Sequence, residues 1–168
     1  MTVAEVLAMP DSSPDFFVRP DAGVKLFAGK VMDVHEFRRL VDQAPSLHGM
    51  ALAQDTSVYV NEPIEIEMEL RTWYVGGKVA AVVGYRRNGR IDPWDLEDDD
   101  PLRDRIVEFA IEQGRKLDEA EVFVLDVGVT PDGLKVVEIN CIHTSGFYRT
   151  GHIHDVVCEL TNYVRERR

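Results

Sequence analysis

The stretch of residues 121–140, EVFVLDVGVTPDGLKVVEIN, constrains the fold of this chain more than any other part of the sequence. Two runs rich in Val, Leu and Ile flank Pro131–Gly133, which predicts a β-hairpin with a three-residue loop. Pro presets the turn, and Gly accepts the positive φ that such a loop requires. With this loop Thr130 pairs with Leu134, and that pair sets the register of the whole hairpin.

The predicted register places Asp126 directly opposite Glu138, with Asn140 on the same face two residues further on. Carboxylates paired across a ladder lie about 5 Å apart and repel each other, so they need a cation between them, a shared proton, or a nearby Arg or Lys. Asp, Glu and Asn together offer the oxygen ligands that Mg²⁺ or Mn²⁺ prefers. We therefore predict a divalent metal site at Asp126, Glu138 and Asn140. The alternative is that one of the acids faces water at a sheet edge.

Helices and strands alternate along the rest of the chain, but the clear hairpins are antiparallel. Residues 64–71 alternate between apolar and polar, Gly76-Gly77 predicts a two-residue turn, and residues 79–85 return as the partner strand. Residues 88–100 are polar and are predicted to be irregular. Capping residues and apolar periodicity predict three longer helices, which start near Asp33, Pro101 and Ile153. The class is therefore α+β.

Composition restricts the function classes. A chain of 168 residues has the length of a single domain. Its net charge of −11 argues against binding to a nucleic-acid backbone. Cys141 and Cys158 are too few for a disulfide scaffold, which favours a reduced, cytoplasmic setting. The N-terminus lacks the features of a signal peptide, and no apolar run reaches the roughly 20 residues of a membrane span.

Several basic residues are candidates for phosphate binding. Arg19 ends a predicted strand, and the glycine-containing loop that follows it carries Lys25, so together they form a plausible phosphate cradle. Arg71 shares a strand face with Glu65, Glu67 and Glu69. That face is either part of a site or a solvated surface with weak ion pairs.

The segment after the hairpin, CIHTSGFYRTGH, carries further reactive side chains. Four side chains of this region are of the types that bind zinc, but their spacing matches no zinc motif. These are Cys141, His143, His152 and His154. A Cys141 nucleophile with a His143 base is also disfavoured, because i, i+2 neighbours on a strand rarely meet. Other residues of this segment follow the metal face directly and could line an acceptor pocket. These residues are His143, Ser145, Tyr148 and Arg149.

The order of FFVRP, VYV, VLDVG and VEIN along the chain resembles the ATP-grasp superfamily. It is most similar to short members of its R-to-K clade, known from phages and bacteria, over residues 16–157. The resemblance implies one ATP-grasp domain over residues 1–168, with two small α+β lobes whose antiparallel sheets enclose a nucleotide cleft. The N-terminal lobe would span residues 14–62. The C-terminal lobe would span residues 63–168 and include the metal-binding hairpin 121–140.

The resemblance also implies roles for individual residues. Asp126, Glu138 and Asn140 would hold Mg²⁺, Arg19 and Lys25 would contact phosphates, and Arg71 would bind the γ-phosphate or an acyl phosphate. The adenine hinge would consist of Val58, Tyr59 and Val60, and Glu62 is a candidate contact of the ribose.

The implied activity is an ATP-dependent carboxylate–amine ligase that works through an acyl phosphate. Its partners would be ATP and a small-molecule or peptide carboxylate plus an amine. Family members usually carry a further N-terminal domain, whereas 15 residues precede Phe16 here, so a homodimer mate or a partner chain is expected to complete the substrate side. Two alternatives stay open. One is a non-catalytic ATP-binding module that serves a partner protein, and the other is an interaction domain that uses an acidic face.

Overall fold

The computed structural model describes residues 1–21, 26–48, 52–117 and 121–167. The chain forms two compact units, Met1–Ile64 and Glu65–Arg168. Each unit combines helices with an antiparallel sheet, so the predicted α+β class is confirmed. Within the part of the chain that is described, no helix is both long enough and apolar enough to cross a membrane.

The unit Met1–Ile64 builds one core from a small sheet and two helices. Its elements are α1 (Val3–Leu7), β1 (Phe16–Pro20), β2 (Lys30–Met32), α2 (Val34–His48) and β3 (Val58–Asn61). The sheet order is β2-β1-β3, and both strand pairs are antiparallel. Alternate residues of β1, Phe16 and Val18, face the core together with Phe37 of α2. Val3 and Val6 are fully buried in the same core, so α1 belongs to this unit.

The unit Glu65–Arg168 is a five-stranded antiparallel sheet with a helix on each face. Its elements are β4 (Met68–Val75), β5 (Lys78–Arg87), β6 (Arg90–Asp95), α3 (Pro101–Arg115), β7 (Val122–Thr130), β8 (Gly133–Asn140) and α4 (Ile153–Glu166). The sheet order is β6-β5-β4-β7-β8. Helix α3 covers the face of Leu70 and Leu125, whereas α4 packs near Trp73 and Val124 on the opposite face. That opposite face carries the candidate site.

Two tight turns connect β4, β5 and β6. Gly76 and Gly77 have φ values of +55° and +93° and join β4 to β5 as predicted. Asn88 and Gly89, with φ values of +47° and +75°, join β5 to β6 in the same way. The prediction that residues 88–100 are irregular is therefore wrong over Arg90–Asp95, because Asn-Gly is itself a strong hairpin signal.

The hairpin of β7 and β8 differs from its prediction in the loop but not at the two acids. Thr130 pairs with Gly133, so the connection has two residues and the predicted pair of Thr130 with Leu134 is wrong. A bulge between Val136 and Glu138 then inserts one extra residue into β8. The two deviations cancel, and Asp126 lies opposite Glu138 as predicted.

Candidate active site

Arg71 and Asp126 form a buried ion pair in the middle of the five-stranded sheet. They are direct partners on β4 and β7, and Nε and Nη2 of Arg71 donate to Oδ1 and Oδ2 of Asp126, each at 2.8 Å. Their side chains are only 10% and 2% exposed. The hydrogen bonds and the charge of Asp126 raise the pKa of the Arg71 guanidinium above its ordinary value. Removing one partner of such a pair typically costs about 3–5 kcal/mol, because the other charge is left buried alone.

A second buried carboxylate, Glu69, lies beside this pair. Arg86 donates from Nη1 to Oε1 of Glu69 at 2.7 Å, and the hydroxyl of Tyr85 donates to Oε2 at 2.5 Å. The Tyr85 oxygen also lies 3.4 Å from Oδ2 of Asp126. Burial, then the negative charges of Asp126 and Glu69, raise the pKa of Tyr85 well above its ordinary value. Tyr85 therefore stays protonated, and its single proton goes to Glu69.

Tyr85 and Arg86 were not predicted as site residues, and the burial of Glu69 was not foreseen. Glu69 was predicted to share one strand face with Glu65 and Glu67, yet Glu65 and Glu67 precede β4 and are exposed, whereas Glu69 is 6% exposed. The alternation did place Glu69 and Arg71 on one face. The solvated-face alternative is wrong for these two residues, because both are buried and bonded to other side chains.

Residues 141–152, here called the covering loop, pack over Trp73, Tyr85 and Arg71 on this face. Phe147 stacks on Trp73 with ring centroids 4.7 Å apart, and Tyr148 stacks on Tyr85 at 4.6 Å. The main-chain oxygen of Gly146 accepts a hydrogen bond from Nη1 of Arg71 at 3.1 Å. The loop therefore contributes both aromatic walls and a hydrogen-bond acceptor to the site.

Asp95 of β6 anchors the far end of the covering loop. Its Oδ2 accepts hydrogen bonds from Nε and Nη2 of Arg149 at 3.0 and 2.6 Å, and its Oδ1 lies 2.9 Å from Nε2 of His152. The bonds from Arg149 and then from His152 lower the pKa of Asp95 below its ordinary value. Asp95 and Arg149 are exposed and His152 is half-buried, in contrast to the buried Arg71–Asp126 pair.

The residues of the predicted acceptor pocket lie in different surroundings. Tyr148 joins the site through its stack on Tyr85. Ser145 donates its hydroxyl proton to the main-chain oxygen of Cys141 at 3.0 Å, and His143 is exposed in a short turn over Ile142–Thr144. The structure thus brings only Tyr148 to the buried network, and the pocket as a whole stays a prediction.

Glu138 and Asn140 can supply oxygen ligands next to Asp126. Glu138 is exposed and Asn140 is half-buried, and both lie at the end of β8 on the face of Asp126. Among the described residues, no group of three or more Asp, Glu, His or Cys side chains is arranged to hold a metal. A site here therefore needs the Asn140 amide oxygen, and the donor set then fits a hard divalent ion. Arg71, however, already supplies one of the remedies expected for two facing carboxylates, a nearby arginine.

Arg19 and Tyr59 form an exposed pair on the sheet of the unit Met1–Ile64. They are partners on β1 and β3, and the guanidinium carbon lies 4.6 Å from the Tyr59 ring centroid. A hydrogen bond with Asp21 raises the pKa of Tyr59. Lys25, the other predicted phosphate contact, lies outside the described residues. The role of Arg19 stays a prediction.

The predicted hinge residues Val58 and Val60 face the core, so only their main chain could contact a ligand. The N–H of Val58 donates to Met1 at 2.7 Å, and its oxygen accepts from the Met1 ammonium group at 3.0 Å. Consecutive residues of a strand direct their main-chain groups to opposite edges, so Val60, two residues after Val58, points to the same outer edge as Val58. Val60 is the better candidate for a main-chain contact, and Glu62 is exposed.

Comparison with known families agrees with the resemblance inferred from the motifs. A family model for the ATP-grasp domain of the R-to-K clade, family 3, matches residues 2–160. The chain belongs to this ATP-grasp family. A search of curated proteins finds no significant match.

Solved structures show the same ATP-grasp fold at low sequence identity. D-alanine–D-alanine ligase from Bacillus anthracis aligns with a TM-score of 0.60 at 12% identity, over 98% of this chain and 58% of the ligase. An ATP-grasp RimK domain protein from Sphaerobacter thermophilus aligns with a TM-score of 0.61 at 14% identity, over 96% of this chain and 55% of that protein. The ATP-grasp ligase PsnB, solved with a precursor variant, Mg and ADP, aligns with a TM-score of 0.53 at 14% identity, over 92% of this chain and 47% of PsnB. The chain thus spans about half of each of these proteins.

Proposed function

We propose that this ATP-grasp domain activates a carboxylate with ATP and a divalent ion, Mg²⁺ or Mn²⁺, and joins it to an amine. The observation that carries the proposal is the face of the five-stranded sheet on which Arg71, Asp126 and Glu138 converge. Oxygen ligands for an ion and a guanidinium for a phosphoryl group lie there within one hairpin and its neighbouring strand. Such groups, held in place beforehand, are the main protein contribution to phosphoryl transfer.

The residues have separate roles in this proposal. Asp126, Glu138 and Asn140 hold the ion, which when bound neutralises charge on the ATP phosphates. Arg71 donates its N–H groups to the transferred phosphoryl group, and the Tyr148 ring helps to exclude water from it. Exclusion of water strengthens each of these charge interactions.

The proposed reaction needs no protein nucleophile. A carboxylate oxygen of the substrate attacks the γ-phosphorus of ATP, and ADP leaves, which produces an acyl phosphate. The amine then attacks the acyl carbon, phosphate leaves, and the amine loses a proton. The carboxylate and the amine are proposed as small molecules or peptides. The similar ligase PsnB was solved with a precursor peptide.

A thermal-shift titration with Mg·ATP tests the proposal. At a free Mg·ATP concentration of about 100 times the dissociation constant, binding adds about 2.7 kcal/mol to the free energy of unfolding. This raises the Tm of a chain of this size by roughly 5–10 °C. Glu138→Gln should abolish most of the Mg-dependent part of this shift, because it removes a charged ligand from an exposed position. The matched control is Glu112→Gln, an exposed acid of α3 bonded to Lys116. Equal shifts in the two variants would contradict the assigned site.

Nucleotide binding without turnover is the second candidate. It is favoured by the closed Arg71–Asp126 pair, because Nε and Nη2 of Arg71 are bonded to Asp126 and Nη1 is bonded to Gly146, so the guanidinium is not free to act on a phosphoryl group in the arrangement described above. ADP release in the presence of panels of amino acids and peptides separates the two candidates. Release that requires both a carboxylate and an amine supports the ligase, whereas a Tm shift with no release across the panels supports a binding module.

A further inference from the structure

Arg71 holds Asp126 in a way that opposes a second cation. Its two parallel hydrogen bonds occupy one lone pair on each carboxylate oxygen, and both side chains are buried. The remaining lone pairs could reach an ion, but that ion would lie within a few ångströms of the guanidinium. Repulsion between like charges is strong where water is scarce. Arg71 and a divalent ion therefore compete for the same carboxylate.

The polar side chains next to the Arg71–Asp126 pair bond mainly to Glu69. Arg86, the nearest further cation of this network, is bonded to Glu69, and the Tyr85 proton also goes to Glu69. Among the residues that the structure describes, the ion pairs of Asp126 involve Arg71 alone. If Arg71 moved away, Asp126 would need a new partner, and Glu138 opposite it would increase that need.

In the proposed reaction Asp126 and Arg71 each have a second possible partner, a divalent ion for Asp126 and a phosphate group for Arg71. Glu138 and Asn140 lie on the same face as Asp126, so the three can bind one ion together. A phosphate group accepts the same parallel pair of N–H donors as a carboxylate does. The bond of Nη1 to Gly146 keeps the guanidinium beside the covering loop during such a change.

We propose that Arg71 and a divalent ion are alternative partners of Asp126, exchanged when ATP binds. In the nucleotide-free protein the guanidinium holds the carboxylate; with ATP it moves to a phosphate, and the ion takes Asp126 together with Glu138 and Asn140. This inference rests on the proposed function. It requires that the ion alone binds weakly, and that the ion and ATP each strengthen the binding of the other by the same factor.

Titration with Mn²⁺ alone, followed by electron paramagnetic resonance, tests the competition without any turnover. Arg71→Met should bind Mn²⁺ about tenfold or more tightly than the wild-type protein, because the opposing charge is gone. Asp126→Asn in the Arg71→Met background should remove that gain. The control Arg105→Met deletes an exposed arginine of α3, which packs on the other face of the sheet, and should leave Mn²⁺ affinity unchanged.

The outcomes separate this inference from the proposed function. If Arg71→Met leaves Mn²⁺ affinity unchanged while Asp126→Asn weakens Mn²⁺ binding with ATP, the metal site stands and the exchange is wrong. If Asp126→Asn has no effect on Mn²⁺ binding with ATP, the metal assignment of the proposed function fails.

A wild-type measurement covers the case in which Arg71→Met does not fold. The ¹⁵N signal of the Arg71 Nε–H group should shift when a non-hydrolysable ATP analogue and Mg²⁺ are added together, and should stay in place with Mg²⁺ alone. A signal that stays in place while the analogue binds, as shown by a Tm shift, would overturn the exchange.

Discussion

Two Arg–Asp pairs lie in the same unit and differ mainly in their exposure to water. Arg71 and Asp126 are 10% and 2% exposed, whereas Arg149 and Asp95 are both 47% exposed. Each arginine donates two N–H groups, but Arg71 bonds both oxygens of its partner and Arg149 bonds only one. The same residue types therefore meet in two physical settings.

Exposure to water determines which of the two pairs can control a site. An exposed pair contributes about 0–1 kcal/mol, because water and salt screen it and two flexible side chains must be ordered. A buried pair is costly to break from one side, by about 3–5 kcal/mol. Exchange of partners at the buried pair can therefore be driven only by ligands that give both Arg71 and Asp126 a new partner. The exposed pair is suited to fixing the position of the covering loop.

The largest effect should follow from Asp126→Asn. This change removes the charge partner of a buried arginine, so we expect the free energy of unfolding to fall by about 3–5 kcal/mol. Urea unfolding followed by circular dichroism measures it. The control Asp92→Asn neutralises an exposed acid whose Oδ2 lies 3.9 Å from Nε of Arg87. It should change the free energy of unfolding by less than about 1 kcal/mol. Similar losses in the two variants would show that burial does not set the energy of these pairs.

Tyr85→Phe should have an intermediate effect. It removes a hydrogen bond to a buried carboxylate that keeps its bond to Arg86, so a loss of about 1–3 kcal/mol is expected below pH 10. Because burial raises the pKa of Tyr85, only the unfolded chain ionises near the ordinary value of about 10. The advantage of the wild-type protein is therefore present below that pH and is lost as pH rises above it.

The measurement is urea unfolding of both proteins between pH 7 and 11. Tyr59→Phe, which changes an exposed tyrosine, is the matched control and should lose less stability at neutral pH. A difference between wild type and Tyr85→Phe that grows above pH 10 would contradict the assigned protonation.

Local pattern predicted much of the fold. Residue spacing and turn chemistry are local properties, so Gly76-Gly77 and the helix that begins at Pro101 follow from a few neighbouring residues. The hairpin of β7 and β8 shows the limit, since a wrong loop and an unforeseen bulge cancelled at Asp126. The strand Arg90–Asp95 was missed because its polar composition was given more weight than the Asn-Gly turn. In the structure Trp94 of this strand packs directly on Gly84, where a Cβ would lie 2.1 Å from the indole.

The candidate site was predicted only in part, because its burial is a tertiary property. The two acids of the hairpin and Arg71 could be found from strand alternation and the family motifs. The partners Tyr85 and Glu69 are set by strand pairing, and their burial is set by a loop more than 55 residues away along the chain. No local pattern shows that β4 pairs with β7, so the bond between Arg71 and Asp126 was not foreseen.

The smallest effect should follow from Asp95→Asn, which weakens the exposed anchor of the covering loop. We expect a loss of at most about 1 kcal/mol at pH 7 and low salt, and less at high salt. Because Arg149 and then His152 lower the pKa of Asp95, its contribution is present above the ordinary Asp value of about 4 and is lost as pH falls through the lowered value.

Urea unfolding of wild type and Asp95→Asn at pH 7 and pH 3, each at low and high salt, measures this difference. Since Tyr148 and Phe147 keep their stacks on the sheet, the loop should stay in place in the variant, and Mg·ATP should still raise its Tm. A loss as large as that of Asp126→Asn would instead mean that the covering loop is held by Asp95 rather than by its aromatic contacts, and that exposure is a poor guide to what each pair contributes.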